Sequence, residues 1–238
     1  MDWNERFQEA IALADKGQRA EADEIFEEVA DATMNSVAVK VAVSSKMVMF
    51  YIHESLLMSG VPVAKNIIDE TEKTRYWIDL LLNQTEPSDE ERSELLKNKS
   101  RCLELKGKCL YMLGDAECVQ TLQDAISLGS NQAKLYLALV LKDHARDLAN
   151  SIDASKITNA DAQRVMSIQS DVMNYYGSMV SLLNEYVRDY DSVGSSPDEL
   201  KTACTILSVA YQNGLGVEKD NSIADYYQNM ADKIESSN

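Results

Sequence analysis

The sequence is short of the residues that most often interrupt helices. Its 238 residues include only 9 glycines and 3 prolines. Alanine, leucine, glutamate, lysine, glutamine and methionine are abundant, and these side chains lose little rotamer freedom in a helix. The scarcity of helix breakers therefore predicts a chain that is built mostly of helices.

Signals for export and for membrane insertion are also missing. The chain begins Met1-Asp2-Trp3, with no basic start and no apolar run behind it, so it does not resemble a secretory signal peptide. The longest apolar runs, 47–52 and 135–141, are too short to cross a bilayer. The 4 cysteines contain no C-x-x-C pair, which favours reduced thiols. We therefore expect a soluble, cytoplasmic protein.

Motifs of catalysis and of cofactor binding are absent as well. The sequence has no G-x-S-x-G, no phosphate-binding loop, no dinucleotide-binding glycine pattern and no H-E-x-x-H. Its two histidines, His53 and His144, are far apart and lack a second ligand at metal-binding spacing. Asp143 and Asp147 flank His144 on one helix, but a solvated, charged face explains them better than an acid–base pair. We predict no catalytic residues, no metal site and no cofactor.

The formal net charge of −16 limits the partners that the protein can attract. A chain of this charge repels nucleic-acid phosphates and anionic lipid headgroups, so neither is expected as the main partner. A basic peptide or a basic protein is easier to accommodate. Solubility alone explains the charge equally well.

The few helix breakers divide the chain into about ten helical stretches. Short breaks between helices favour antiparallel neighbours, and hence helical hairpins. Two glycines, Gly107 and Gly177, fall instead inside strongly helical patterns. The valines from Val37 to Val43 alternate as in a strand, but no second strand pattern could pair with them. We therefore predict a helix there that continues to about Ser59.

Residues near the C-terminus have the order and spacing of a known repeat. They are Ala203, Leu207, Tyr211, Gly214, Gly216, Val217, Asp220, Ala224, Tyr226, Tyr227 and Ala231. This pattern resembles a Sel-one-like repeat, a relative of the tetratricopeptide repeat. The starts of the two helices carry typical signals, with Ser196 as a cap and Pro197 in the first turn of one helix, and Asp220 as the cap of the other.

Two earlier segments resemble tetratricopeptide units. In the first, Gly17 is followed by Ala22, Phe26 and Val29 at the small and aromatic positions of the repeat, although Arg6 and Glu9 occupy sites that are usually apolar. The second match requires a one-residue deletion after Gly114 in its alignment to the repeat. It contains Leu103, Gly107, Leu110, Gly114, Cys118, Leu122 and Ala125. The repeat-like segments span about residues 3–33, 101–128 and 197–236, and the middle of the chain fits no repeat.

The resemblance implies an all-α protein, a right-handed α-solenoid of about five antiparallel helical hairpins. We predict a single helical repeat domain over residues 1–238. Within the C-terminal half, the helical period places Tyr176, Tyr190 and Tyr211 in the core. Tyr175 and Tyr227 are the better surface candidates.

The family binds proteins and peptides in a concave groove, which implies a scaffold or adaptor with no catalysis of its own. The register at Gly107 places Arg101, Lys108 and Tyr111 in that groove, and they are the predicted peptide-binding residues. Glu104 shares their side of the helix, whereas Leu103 and Leu110 should face the core. The alternative is that these cations only offset the acidic run 86–94. The alternative function is an enzyme or small-molecule sensor, with a pocket among the irregular middle helices near His144.

Overall fold

The computed structural model describes residues 1–57, 60–152, 162–190 and 196–235. In this part of the chain all the regular structure is helical, with ten α-helices and no strand. The prediction of an all-α protein is confirmed. The chain divides into two compact units, Met1–Gly129 and Ser130–Asn238. The single repeat domain predicted over residues 1–238 stays a prediction.

The first unit contains six helices, each in contact with the next one along the chain. They are α1 (Trp3–Asp15), α2 (Arg19–Thr33), α3 (Ser36–Leu56), α4 (Val61–Gln84), α5 (Asp89–Leu113) and α6 (Cys118–Ser127). The second unit contains four, again with each helix contacting the next. They are α7 (Gln132–Asn150), α8 (Ala162–Arg188), α9 (Pro197–Asn213) and α10 (Asn221–Glu235). The three repeat-like segments therefore coincide with the α1–α2, α5–α6 and α9–α10 pairs, although α5 begins earlier than its segment.

Side-chain caps begin the helices of the C-terminal pair where the sequence predicts them. Ser196 Oγ accepts a hydrogen bond from the backbone N–H of Asp198 at the start of α9. Asp220 Oδ1 accepts from the N–H groups of Ser222 and Ile223 at the start of α10. These bonds satisfy donors that the first turn of a helix leaves without a partner.

The valine-rich segment near residue 40 is helical, as predicted, and belongs to α3. Val39 and Val43 are buried, whereas Val37 is exposed, so the alternation in sequence does not follow the two faces of a strand. No partner strand exists in the described residues, and a helix satisfies the backbone groups internally. The predicted end of this helix at Ser59 lies outside the described residues.

A glycine inside α5 allows close contact with α6. A Cβ atom added to Gly107 would lie 2.7 Å from Cγ and Cδ2 of Leu122. Leu122 is fully buried, so it has little room to move away. The prediction that Gly107 marks a close approach of two helices is confirmed. Glycine at this position costs up to ~1 kcal/mol of helix propensity, which the contact offsets.

Two glycines bring α8 against the turn between α9 and α10. A Cβ atom on Gly216 would lie 2.1 Å from the backbone nitrogen of Gly177 in α8. Gly216 also has a φ of 70°, which a side chain rarely tolerates. Ala203 of α9 and Ala224 of α10 are both buried, as the small side chains of a close helix pair should be.

The tyrosines of the second unit follow the prediction with one correction. Tyr176, Tyr190 and Tyr211 pack against the core as predicted. Tyr227, predicted on the surface, also packs there. Its ring stacks on Tyr211 at 6.1 Å between centroids, and its hydroxyl donates to Oδ1 of Asn184. Tyr226 is the exposed member of the pair, because one step along a helix turns a side chain by about 100°.

Candidate functional site

The predicted peptide-binding residues lie on the second half of α5, the longest helix of the first unit. The helix starts with a capping box, in which Ser88 Oγ accepts from the N–H of Glu91 while the Glu91 carboxylate accepts from the N–H of Ser88. Leu103 and Leu110 are buried, as predicted. Arg101 and Lys108 lie on a different side of the helix and stay half-buried. The core side and the polar side of α5 are therefore separated as the helical spacing predicts.

The structure brings Arg101 and Lys108 together on one carboxylate, that of Glu54 in α3. Nζ of Lys108 donates to Oε1 of Glu54 at 2.9 Å, and Arg101 donates to Oε2. Arg101 also pairs with Glu104, three residues further along α5. We call Glu54, Arg101, Glu104 and Lys108 the Glu54 cluster. It ties α5 to α3, two helices that are not neighbours in sequence.

An aromatic ring extends this cluster toward solvent. The guanidinium carbon of Arg101 lies 5.7 Å from the centroid of the Tyr51 ring, within range of a cation–π contact. Tyr51 is 69% exposed. Tyr111 is half-buried on α5, and its place near Lys108 follows from the helical spacing. The cluster therefore combines charged groups with accessible aromatic surface.

Mutual neutralisation dominates the electrostatics of the Glu54 cluster. Burial alone would raise the pKa of the Glu54 carboxyl, but the charges of Arg101 and Lys108 outweigh burial, and the pKa is lowered. Burial likewise opposes the charge on Arg101, while Glu104 and Glu54 raise its pKa. Two cations face two carboxylates, so the cluster has no net charge. A bound group must replace these internal pairs, because the cations are already compensated.

Sequence reasoning missed Glu54 and Tyr51. Glu54 is 47 residues before Arg101, and neither residue belongs to a motif. No local signal could have found them, since a helical pattern shows which side of a helix is polar but not which other helix covers it.

A second charged network lies between α2, α3 and α4. Nζ of Lys46 is 2.5 Å from Oδ2 of Asp23, and both side chains are almost completely buried. Lys46 also reaches Glu27 at 3.5 Å, and Glu27 pairs with Lys73 of α4 at 2.5 Å. Burial opposes the charge on Lys46, yet Asp23 raises its pKa above the ordinary value. We interpret this network as structural, because it joins three helices and leaves its central pair without access to solvent.

His53 and His144 occupy different settings. Nδ1 of His53 lies 2.6 Å from Oε2 of Glu70, and both atoms are buried. His144 is exposed, with its ring 6.0 Å from that of Tyr175. In the part of the chain that the structure describes, no three His, Cys, Asp or Glu side chains are grouped to hold a metal ion.

The cysteines are buried and poorly suited to reaction. All four are free thiols, and three of them, Cys102, Cys109 and Cys118, lie on the α5–α6 pair. Burial raises the pKa of Cys102 and of Cys109 to about 12. A thiol reacts as its thiolate, so these residues are inert at neutral pH.

A cleft of about 300 Å³ opens between α1, α2 and α3. Its wall is mostly apolar and includes Phe26, Val41 and Val48, with Asp15 and Arg19 also lining it. The alternative function calls for a pocket beside His144 among the irregular middle helices. This cleft is not that pocket, because its lining comes from α1, α2 and α3 of the first unit.

Comparisons with known proteins do not place the chain in a family. No family model matches it, and no curated protein matches it either. Among the described helices, none combines the length and the apolar character needed to span a membrane.

Proposed function

We propose that this protein is a scaffold that binds another protein or a peptide and has no catalysis of its own. The proposal keeps the resemblance to tetratricopeptide and Sel-one-like repeats, and with it the stacking of hairpins into a right-handed solenoid. The close packing of Gly107 on Leu122 and the burial of Ala203 and Ala224 support it, because these are positions where the repeat pattern needs small residues. A cytoplasmic location and a partner that is neither nucleic acid nor membrane are part of the same proposal.

The Glu54 cluster is the observation that carries this function. It lies between two long helices of different hairpins, and its charged side chains remain 18–26% exposed, apart from the buried Glu104. Partly desolvated charges with fixed geometry distinguish partners more sharply than fully solvated ones do. The exposed ring of Tyr51 adds apolar area with little side-chain entropy to lose.

Binding at this cluster would proceed by exchange of ion pairs. A carboxylate of the partner can take over one of the two cations that Glu54 now holds, and a basic side chain can join Glu54 or Glu104. Arg101 is the better anchor for a carboxylate, since its planar guanidinium donates two parallel hydrogen bonds. Lys108 supplies the second charge, and Tyr111 belongs to the same contact surface.

The test uses four forms of the full chain, namely wild type, Arg101→Ala, Lys108→Ala and the control Lys219→Ala. Lys219 is an exposed lysine of the second unit, so it is not part of the side of α5 that carries the cluster. Proteins from a native lysate that bind immobilised wild type are identified by mass spectrometry, and affinity for the strongest binder is then measured with each variant. Loss of a partly buried charge should cost about 2 kcal/mol, or about thirtyfold in Kd.

The dependence of the affinity on salt concentration provides a second test. Arg101→Ala and Lys108→Ala should weaken binding and flatten its dependence on ionic strength, whereas Lys219→Ala should leave both near wild type. Circular dichroism on each variant checks that the helices are retained. If neither cluster variant changes the affinity at low salt, the Glu54 cluster is structural and the assignment of the binding surface is wrong.

A further inference from the structure

The cleft between α1, α2 and α3 has an apolar and largely buried floor. Ala22 is 1%, Phe26 5% and Met49 7% exposed, and all three line the cleft. Val48 lines it as well and is 39% exposed. The Phe26 ring packs edge-on against Phe7, at 5.6 Å between centroids, which holds this part of the floor in place. An apolar group that enters the cleft therefore meets a preformed surface.

Two opposite charges line the same cleft at the junction of α1 and α2. Asp15 is the last residue of α1, and Arg19 is the first residue of α2. The turn between them is closed by a hydrogen bond from the N–H of Gln18 to the carbonyl oxygen of Leu13. The change of direction at this turn places both charges beside one cleft.

Neither of these charges is neutralised within the part of the chain that the structure describes. No ion pair or side-chain hydrogen bond there includes Asp15 or Arg19, so the two side chains do not pair with each other either. The hydroxyl of Ser45, half-buried in the wall of the cleft, also lacks a partner among the described residues. A ligand can bind these three groups without first breaking an internal bond, which distinguishes the cleft from the Glu54 cluster.

The two charges favour a zwitterion over a simple ion. A carboxylate can accept two hydrogen bonds from the planar guanidinium of Arg19, and an ammonium group can donate to the carboxylate of Asp15. A ligand with a carboxylate alone would face Asp15 without a partner for it, and the net charge of −16 would repel it. A ligand with an ammonium group alone would place its charge beside Arg19. A neutral molecule that carries both groups avoids each of these costs.

The size and the floor of the cleft limit the rest of the ligand. The volume of about 300 Å³ is at the lower end for ligand pockets. It equals the volume of about ten liquid water molecules, and leucine, methionine and phenylalanine have about 9–12 non-hydrogen atoms. A charged side chain would lose its hydration against the floor, whereas an apolar one is stabilised there.

We infer that the cleft binds a free α-amino acid with an apolar side chain. Its carboxylate pairs with Arg19, its ammonium group pairs with Asp15, and its side chain packs on Phe26. A ligand of this size in an open cleft has an expected Kd of about 0.1–1 mM. This inference does not depend on the proposed binding of another protein at the Glu54 cluster.

Methyl NMR of the full chain, with isotope-labelled methionine methyl groups, tests binding at the cleft itself. Met49 is one of 10 methionines, and its signal is assigned with Met49→Leu, a swap of similar volume. Titration with L-leucine to about 10 mM should shift the Met49 signal until it saturates. The titrations are run at about pH 6.5, where a free amine is charged.

Three related probes test each part of the ligand. N-acetyl-L-leucine lacks the ammonium group, L-leucinamide lacks the carboxylate and glycine lacks the apolar side chain. Each should bind at least about tenfold more weakly than L-leucine, because each leaves one part of the cleft without its contact. Equal binding of L-leucine and either blocked form would overturn the inference, since a peptide terminus would then serve as well as a free amino acid.

Exposed charges in the same stretch of chain provide matched controls. Arg19→Gln and Asp15→Asn should each weaken the binding of L-leucine about tenfold. Lys16→Gln and Glu21→Gln, at exposed residues that do not line the cleft, should bind as wild type does. Arg19→Gln should leave the weak binding of L-leucinamide unchanged, since that probe has no carboxylate to lose. A Met49 signal that does not shift, or equal losses in Lys16→Gln and Arg19→Gln, would also overturn the inference.

Discussion

Replacement of Gly107 by alanine tests the contact between α5 and α6. On an isolated helix this change stabilises by about 1 kcal/mol, because alanine has the higher helix propensity. In this protein the new methyl group would lie 2.7 Å from two carbon atoms of Leu122. Real contacts of this kind are near 3.5–4.0 Å, so the two helices must move apart or Leu122 must leave its rotamer.

The expected magnitude follows from these opposing effects. Overpacking in a core costs about 1–3 kcal/mol, and the propensity gain offsets about 1 kcal/mol of that. Gly107→Ala should therefore lower the free energy of unfolding by up to about 2 kcal/mol. Leu122→Ala alone should cost about 2–5 kcal/mol. The double variant should lose about 1–3 kcal/mol less free energy of unfolding than the two single variants lose together, because the methyl group at position 107 then fills part of the cavity left by Leu122.

Tryptophan fluorescence during urea unfolding is the appropriate assay. The chain has 2 tryptophans, and both Trp3 and Trp77 lie in the first unit, which contains the α5–α6 pair. The signal therefore follows this unit even if the two units unfold separately. Ser93, which is exposed on α5, provides the matched control. The Ser93→Ala variant should be about 1 kcal/mol more stable than the Ser93→Gly variant. If Gly107→Ala stabilises by the same amount, the close contact does not exist.

Three further predictions concern other contacts. Ala203→Leu and Ala224→Leu should each overpack the α9–α10 pair, which lowers the free energy of unfolding by about 1–3 kcal/mol and lowers the thermal midpoint. Calorimetry that shows no shift of the midpoint in either variant would contradict the repeat alignment. Lys46→Met should cost about 3–5 kcal/mol in urea unfolding, since it leaves Asp23 buried without its partner, and Asp23→Asn in the same chain should recover part of that loss. Burial opposes the charge on Glu54, but its two cations lower its pKa below the ordinary 4.5, so its stabilising effect is complete above about pH 4.5 and is lost as the pH falls through the lowered pKa. The stability difference between wild type and Glu54→Gln should thus be present at pH 7 and shrink in acid, and a difference that does not change with pH would refute the assigned ion pairs.

Much of the local structure could be predicted because its causes are local. The start of α9 at Ser196 and that of α10 at Asp220 depend on side-chain caps that act within three residues. The burial of Leu103 and Leu110 follows from the 3.6-residue period of a single helix. The valine-rich part of α3 was ambiguous locally, and the absence of a second strand pattern decided it.

One tertiary contact was also readable from the sequence, that of Gly107. A glycine inside a strong helical pattern is costly, so its presence already indicated the close approach of another helix. The sequence did not show that Gly177 meets the turn at Gly216, because that contact joins two segments outside any common motif.

The candidate site could be predicted only in part. The sequence by itself determined that Arg101 and Lys108 share the polar side of α5, since positions seven residues apart lie on one side of a helix. Only the tertiary structure decided that Glu54 lies between them and neutralises them. The same is true of the Asp23–Lys46 pair and of the packing of Tyr227 against the core. The period of a helix determines which side chains share a face, whereas the packing of helices that are far apart in sequence determines what that face contacts.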